Sequence, residues 1–300
     1  MNTSRHNRIF LAALAMTMAS VSHLGAVGFR FPHHDPESIT RGNAWVATAD
    51  NPSAVYYNPG GLTQLDDGHS VSAGLYLAVT DIEFTPLVGG GKASADSTPQ
   101  PVPQLFYAWS PPDSKWSFGF GAYAPYGLGI DYGRNTPFPT VAIEAKLLYA
   151  SFNPVVSYQV TDTLAVGAGL TLNYSDVNFE RAVGIAPGDL FDFEGDGFAT
   201  GFNIGVLWQP HPQWSIGAMY RSHTEVTYTG SSTVTGNIFA SKLPTSVGLD
   251  FPSFVDVGVS YRPNDNWNYR DQPRLDRLGQ RQRLDLRGHL CRKCSLRLQL

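Results

Sequence analysis

Charge is scarce in this 300-residue chain. Asp, Glu, Lys and Arg make up 15% of it, against roughly 25% in a typical soluble domain. Cysteine is nearly absent, and its two copies, Cys291 and Cys294, lie in the last ten residues. The rest of the chain therefore holds no disulfide, and no redox compartment can be read from it. Long apolar runs are missing too. The longest, "IFLAALAMTMASV" (9–21), has 13 residues, short of the roughly 20 that a membrane-spanning helix needs. Mean hydropathy is only -0.16, so a bundle of apolar helices is excluded. A basic body is also lacking. Residues 268–300 hold 9 Lys and Arg against 3 Asp and Glu, which leaves the remainder at a net -10. An acidic body argues against a nucleic-acid surface.

What is present is aromatic residues at 12%, 30 glycines, and alternation with period 2. In "TLAVGAGLTLNYS", Leu164, Val166, Ala168, Leu170, Leu172 and Tyr174 share one face, opposite Ala165, Gly167, Gly169, Thr171, Asn173 and Ser175. "GFNIGVLW" (201–208), "WSIGAMYR" (214–221) and "WSFGFGAYA" (116–124) repeat the pattern. One face is bulky and apolar. The other is Gly, Ser and Asn, without the Lys and Glu of a soluble outer face. Trp116, Trp208, Trp214 and Tyr174 stand at strand ends, as in an aromatic girdle. This predicts an all-β chain folded as a transmembrane antiparallel β-barrel, with a secreted β-sandwich as the alternative.

About eight strands are expected, near 70–84, 102–109, 115–125, 146–158, 163–180, 198–209, 213–229 and 253–262. "QVTDT" (159–163) and "QPHPQ" (209–213) read as tight turns, while 126–145, 181–197 and part of 230–250 read as long loops. Short turns at one end and long loops at the other is the outer-membrane arrangement. Ahead of the strands, "MNTSRHNR", the apolar run and "SHLGA" have the order of a secretory signal peptide, with cleavage expected after Ala26.

Between signal and strands lies "ADNPSAVYYNPGGL" (49–62). Asp50 or Asn51 can cap a helix at Pro52, "SAVYY" supplies about one and a half turns, and Asn58-Pro59-Gly60-Gly61 stops it. The segment reads as a short helix and turn in a compact plug, with Asn58 bonding turn backbone to pin it. A carboxylate ligand would call for a buried cation. Arg41, Lys146 and Arg221 are the candidates, and Arg221 ends a strand on the small-residue face. It is either lumenal or an interfacial arginine. His33-His34-Asp35 reads as polar terminus rather than metal site. "DFEGDG" (192–197) lacks the twelve-residue calcium loop and reads as an acidic surface loop. "GGGKAS" (89–94) fails the phosphate-loop spacing. No catalytic triad, metal site or cofactor is expected.

"RGNAWVATADNPSAVYYNPGGL" (41–62), "APYGLGIDY" (124–132), "SFNPVVSYQVTDTLAVGAGL" (151–170) and "GDGFATGFNIGVLWQPHPQWSIGAMYRS" (195–222) together resemble the FadL-type long-chain fatty acid transporters of Gram-negative outer membranes, a family that also includes aromatic-hydrocarbon importers. The resemblance runs from about 28 to 267. It implies a fourteen-stranded barrel, about eight strands of it present here, closed by a small N-terminal hatch whose "NPA" motif is Asn58, Pro59 and Gly60 in this chain. It implies capture of a hydrophobic molecule at extracellular loops, passage to an apolar pocket against the hatch, and exit through a gap in the wall. It also implies that the N-terminal end, Phe29 and Phe31, reaches the ligand pocket.

The expected layout is signal peptide 1–26, hatch 27–66, partial barrel 67–267 and an aberrant basic tail 268–300. One set of codons for "RDQPRLDRLGQR" (270–281), read one base later, encodes a Trp-rich strand of the kind the family carries, so the tail is expected to be frameshifted. The functional expectation is a non-enzymatic, monomeric outer-membrane transporter in contact with outer-membrane lipid. Its ligands would be long-chain fatty acids or aromatic hydrocarbons. A diffusion porin or adhesive barrel is the alternative.

Overall fold

The computed structural model describes residues 29–85, 91–96, 98–184, 188–236 and 241–263, and the backbone alone of 264, 267–271 and 274–277. The expected signal peptide (1–26) and residues 278–300 of the expected tail lie outside the described residues. The "GGGKAS" stretch lies partly outside them.

The strands run in order β1 (Gly68–Ala78), β2 (Glu83–Phe84), β3 (Ala93–Ser94), β4 (Gln100–Ser110), β5 (Trp116–Asp131), β6 (Glu144–Thr161) and β7 (Leu164–Ala182). They continue with β8 (Leu190–His211), β9 (Trp214–Arg221), β10 (Thr224–Thr235), β11 (Ser241–Phe251), β12 (Ser253–Asn264), β13 (Trp267–Asp271) and β14 (Arg274–Arg277). One sheet follows the path β1-β4-β5-β6-β7-β8-β9-β12-β13, with β10, β11 and β14 attached to it. β2 and β3 form a separate pair. All the ladders are antiparallel.

The alternation settles which face goes where. Leu170, Leu172, Phe198, Phe202, Ile204 and Trp208 are exposed, whereas Ala165, Thr171, Asn173, Ser175, Asn203 and Leu207 are buried. The bulky face thus points outward, which is stable only against hydrocarbon. Aromatic pairs rim it. Trp109 with Phe118, Trp116 with Tyr158, and Trp214 with Tyr261 mark the short-turn end; Tyr174 with Phe198 marks the other. Along β8, Trp208 and Phe198 are ten residues apart. At roughly 3.3 Å per residue and a tilt of about 40°, that is a height of about 25 Å, the thickness of an outer-membrane apolar band.

All eight expected strands are present, with four corrections. The expected strand 70–84 ends at Ala78, and Glu83–Phe84 pairs with β3 in the separate sheet. The expected strand 213–229 breaks at Ser222-His223. There the Ser222 hydroxyl takes the Phe202 N–H while the Ser222 N–H donates to Phe202 O, both at 2.9 Å. β10 then leaves β9's course to pair with β11 and the upper part of β8. β11 falls where a loop was expected. "DFEGDG" is strand rather than loop, with Asp192, Glu194 and Asp196 facing Glu180, Asn178 and Asp176 on β7.

Two short helices, α1 (Pro36–Thr40) and α2 (Ala54–Tyr57), and a 3-10 turn (Pro59–Gln64) precede the sheet. The turn packs against β4, β5, β6, β7 and β8, so the sheet curls around it. Trp45, Val55, Tyr56, Tyr57 and Leu62 form one core with Phe106, Tyr123 and Val155 of the wall. Asp35 caps α1 through Glu37 N and Ser38 N, with Pro36 in the first turn. Tyr57 is the internal fastener. Its hydroxyl accepts from His34 N at 2.9 Å, donates to Pro32 O at 2.9 Å and meets Ser38 Oγ at 2.6 Å. Burial pushes this hydroxyl well above its ordinary pKa, so it stays a donor. Tyr57→Phe strands two buried partners and should cost about 2–3 kcal/mol, read as faster hydrogen exchange over residues 32–57.

Candidate functional site

The site is the contact between the N-terminal segment and the inner face of the wall. Small residues on that face leave room for main chain to approach. A Cβ on Gly217 would lie 2.1 Å from Val46 O, one on Gly205 2.2 Å from Asn58 Oδ1, and one on Gly167 2.6 Å from Pro59 C. Asn58 sits in that seat, fully buried. Its Nδ2 donates to Val46 O at 2.6 Å and to Val206 O on β8 at 3.0 Å, and its Oδ1 accepts from Gly60 N at 3.1 Å. The expected turn bond is there, and the same side chain also ties the turn to the wall. Ser157 donates to Pro59 O at 2.5 Å, Ser215 to Ala47 O, and Gln209 to Gln64 at 2.8 Å.

A polar chain lies above this seat. Asn203 Nδ2 donates to Val55 O at 3.0 Å, Asn153 Nδ2 to Asn203 Oδ1 at 3.1 Å, and Tyr123 Oη to Asn153 Oδ1 at 2.9 Å. Asn153 Nδ2 also donates to Leu170 O at 2.8 Å, where Pro154 has no N–H to offer β7. Arg221 closes the chain. It is 6% exposed, donates from Nη1 to Tyr123 Oη at 2.9 Å and from Nη2 to Tyr56 O at 3.3 Å, and lies over the Tyr56 ring at 4.8 Å. Arg221 is therefore lumenal. The other two candidate cations are not buried. Arg41 pairs with Glu37 beside Trp45, and Lys146 pairs with Glu144.

His34, a polar terminal residue by the sequence, lies inside. It is fully buried, 4.3 Å from the Tyr56 ring and 5.3 Å from that of Tyr123. The ring meets the Phe31 backbone, and among the described residues neither nitrogen has a side-chain partner. Burial first, then the charges of Arg221, Arg30 and His33, hold its pKa well below the usual histidine value. The signal was available in part: His34 directly precedes the Asp35-Pro36 helix start, which fixes the chain's entry. Among the described residues no group of three His, Cys, Asp or Glu could hold a metal.

The wall opens beside β5. The β4–β5 ladder stops at Leu105 and Ala122, although β4 extends back to Gln100 and β5 on to Asp131. β5 is irregular between Tyr123 and Tyr126, at Ala124-Pro125. Residues 29–31 take the vacated edge as a short antiparallel strand. Phe31 N donates to Pro125 O and Gly127 N to Phe29 O, both at 2.9 Å, and Arg30 bridges Tyr126. Phe29 turns into an interior cluster with Tyr126, Leu147, Tyr149, Phe193, Val226, Tyr228 and Phe251. Phe31 instead lies against Gly127, where a Cβ would be 2.7 Å from its ring.

A curled antiparallel sheet with an apolar outer band is the barrel architecture the sequence resemblance implied. The family model described as outer membrane protein transport protein (OMPP1/FadL/TodX) matches residues 21–272. The chain belongs to this family. It is an outer-membrane β-barrel protein of the FadL/TodX type. Outer membrane protein P1 of Haemophilus influenzae is 22% identical over 325 residues, which covers 89% of this chain and 70% of that protein. The long-chain fatty acid transport protein of Escherichia coli is also 22% identical, over 80% of this chain and 60% of that protein. The crystal structure of a Pseudomonas aeruginosa FadL homologue superposes with a TM-score of 0.64 at 16% identity, over 80% of this chain and 67% of that one. This last likeness is one of fold. The chain spans three fifths to seven tenths of these relatives' lengths.

Proposed function

We propose that this chain passes hydrophobic molecules across the outer membrane, long-chain fatty acids foremost, with aromatic hydrocarbons as the second class. The observation that carries this reading is the opening between β4 and β5, spanned among the described residues by 29–31 and backed by the aromatic cluster that Phe29 enters. A long acyl chain gains about 0.8 kcal/mol for each CH₂ removed from water, so an aromatic interior attracts it where an aqueous lumen does not. The segment 27–66 is the hatch, Asn58-Pro59-Gly60 its seated turn, and Phe29 with Arg221 the groups a ligand meets. Phe31 covers the opening. The filled interior disfavours a diffusion porin. The protein acts as a monomer in contact with lipid, without catalytic chemistry.

Two measurements test this. A bacterium lacking its own transporter should gain uptake of labelled oleate, and not of a small sugar, when it produces this chain. In a background with Cys291 and Cys294 replaced by serine, the pair Arg30→Cys and Tyr126→Cys should, on oxidation, bind residues 29–31 to β5. Uptake should then fall at least tenfold and return with reductant. Oleate uptake no greater than in the empty strain rules the reading out.

A further inference from the structure

The wall has a second discontinuity, between β8 and β10. The β8–β9 ladder ends at Asn203↔Arg221, and the β8–β10 ladder begins at Asp196↔Thr229. Residues 197–202 on one side and 222–228 on the other form no ladder pair, and the second run is one residue longer. Ser222 holds the foot of this seam through its two bonds to Phe202. The neighbouring β7–β8 ladder runs unbroken from Leu164↔Trp208 to Ala182↔Leu190. Contact keeps the seam shut. A Cβ on Gly197 would lie 2.5 Å from Thr227 O, and one on Gly201 2.9 Å from Thr224 Oγ1. The seam descends from the girdle at Phe198 to Phe202, within the apolar band. Strand edges without a ladder are rare at that depth, because lipid offers the backbone no partner.

Both edges of the seam belong to the interior cluster, β8 through Ala199 and β10 through Val226. Phe29 and Tyr126 of the same cluster border the β4–β5 opening. Outside, Phe202 also lines an apolar groove of about 450 Å³ across β6, β7 and β8, with Pro154, Val156, Ala168, Leu170 and Ile204. The outer lip of the seam is acidic. Glu225, exposed, stands opposite Asp250 on β11, and His223 Nε2 lies 3.1 Å from Asp250 Oδ1. Ionisable side chains beside lipid are costly and mark pathways.

We infer that the β8–β10 seam is a second lateral outlet, taken by uncharged molecules, and that Glu225 and Asp250 bar it to carboxylates. The inference rests on the transport reading and deepens it. An uncharged molecule leaves the cluster between Ala199 and Val226, passes Phe202 and settles in the outer groove. Parting the seam breaks side-chain contacts and the two Ser222 bonds, but no ladder. A carboxylate on the same path meets two like charges in a medium of low dielectric, where repulsion is strong. Fatty acids are left with the β4–β5 opening. Two outlets from one cluster thus sort cargo by charge.

The test measures uptake of labelled oleate and labelled toluene by cells that lack their own transporter and produce the full chain with Cys291 and Cys294 replaced by serine. Heat-modifiable gel mobility checks folding. With the β4–β5 opening stapled by oxidised Arg30→Cys and Tyr126→Cys, oleate uptake falls at least tenfold, and toluene uptake should stay above half. Thr200 and Glu225 are both exposed and would face each other if the β8–β10 register ran on. Adding Thr200→Cys with Glu225→Cys staples the seam on oxidation. Toluene uptake should then fall at least fivefold and return with reductant. With only the first opening stapled, Glu225→Gln with Asp250→Asn should restore at least a third of oleate uptake. Toluene uptake that falls as far as oleate uptake with the first staple alone overturns the inference and leaves the transport reading standing. So does toluene uptake that survives both staples, or oleate uptake that stays low in the carboxamide variant. Uptake of neither probe by the unstapled chain overturns the transport reading and the inference with it.

Discussion

Gly61→Ala should unseat the hatch, and Gly60→Ala, one residue earlier, should leave it in place. A Cβ on Gly61 would stand 2.2 Å from the Ala49 carbonyl oxygen and 3.2 Å from its carbon. These are backbone atoms of the hatch itself, with no side-chain rotation to relieve them. On Gly60 the nearest atoms would be Leu207 N at 3.1 Å, Ala165 O at 3.2 Å and Asn58 Oδ1 at 3.3 Å, so shifts of a few tenths of an ångström suffice. The family motif that the sequence resembles carries alanine at this second position. Forcing a methyl into packed main chain costs roughly 1–3 kcal/mol and sometimes more. At Gly61 that strain falls on the turn that also holds Asn58. Hydrogen exchange over Val46–Leu62 should accelerate at least tenfold in Gly61→Ala and by less than threefold in Gly60→Ala. Equal protection in the two variants would show that the seat is not set by backbone contact.

The contrast between these glycines marks where sequence reasoning reached and where it stopped. Outward and inward faces were legible because period-2 alternation is a property of each strand alone. Leu170 and Leu172 must share a face whatever surrounds them, and only hydrocarbon suits that face. The turn was legible because Pro59 cannot continue the preceding helix and Gly60-Gly61 disfavours one. The break at Ser222-His223 was not, since its cause is a side-chain hydroxyl standing in for a backbone acceptor on a different strand. β11 was hidden by its breakers: in "SKLPTSVGLDF" Leu243, Val247, Leu249 and Phe251 share a parity, but Pro244 and Gly248 argue against a strand. Of the three candidate cations, Arg221 was set apart in sequence by its place on the small-residue face, but what the hatch covers was not legible there. Arg221 falls on the covered parity, whereas Lys146 and its partner Glu144 lie at the exposed end of β6. His34 shows the same limit more sharply. In "FPHHDPES" only its place directly before the Asp35-Pro36 helix start distinguishes it from His33, yet one histidine is fully buried and the other bonds Asn43 near the surface.

That burial makes the hatch sensitive to acid. His34 is neutral while the hatch is seated, because burial and the neighbouring Arg221 and Arg30 charges depress its pKa. Once the hatch leaves the wall, the ring meets water and its pKa returns to about 6.5. A depressed folded-state pKa fixes the sign. The unseated form binds the proton more readily, so seating is at full strength above about pH 6.5 and weakens as pH falls. The slope approaches about 1.4 kcal/mol per pH unit until the seated ring itself takes a proton. Between pH 7.5 and pH 4.5, exchange protection of Val46–Leu62, corrected for intrinsic rates, should therefore drop, by at most about two orders of magnitude. Other groups face the ring: Arg30, His33 and Tyr56 from the hatch, Tyr123 from β5 and Arg221 from β9. His34→Phe separates its contribution from theirs. Phenylalanine keeps the ring contacts with Tyr56 and Tyr123, and the bond from residue 34 to Tyr57 is made by backbone N–H, so the seat survives. It also removes two buried nitrogens that, among the described residues, meet only the Phe31 backbone, a cost in the seated form. The variant should be at least as well protected as wild type at pH 7.5 and lose most of the acid sensitivity. An unchanged pH dependence in His34→Phe would place the acid response on another group and return His34 to a packing role.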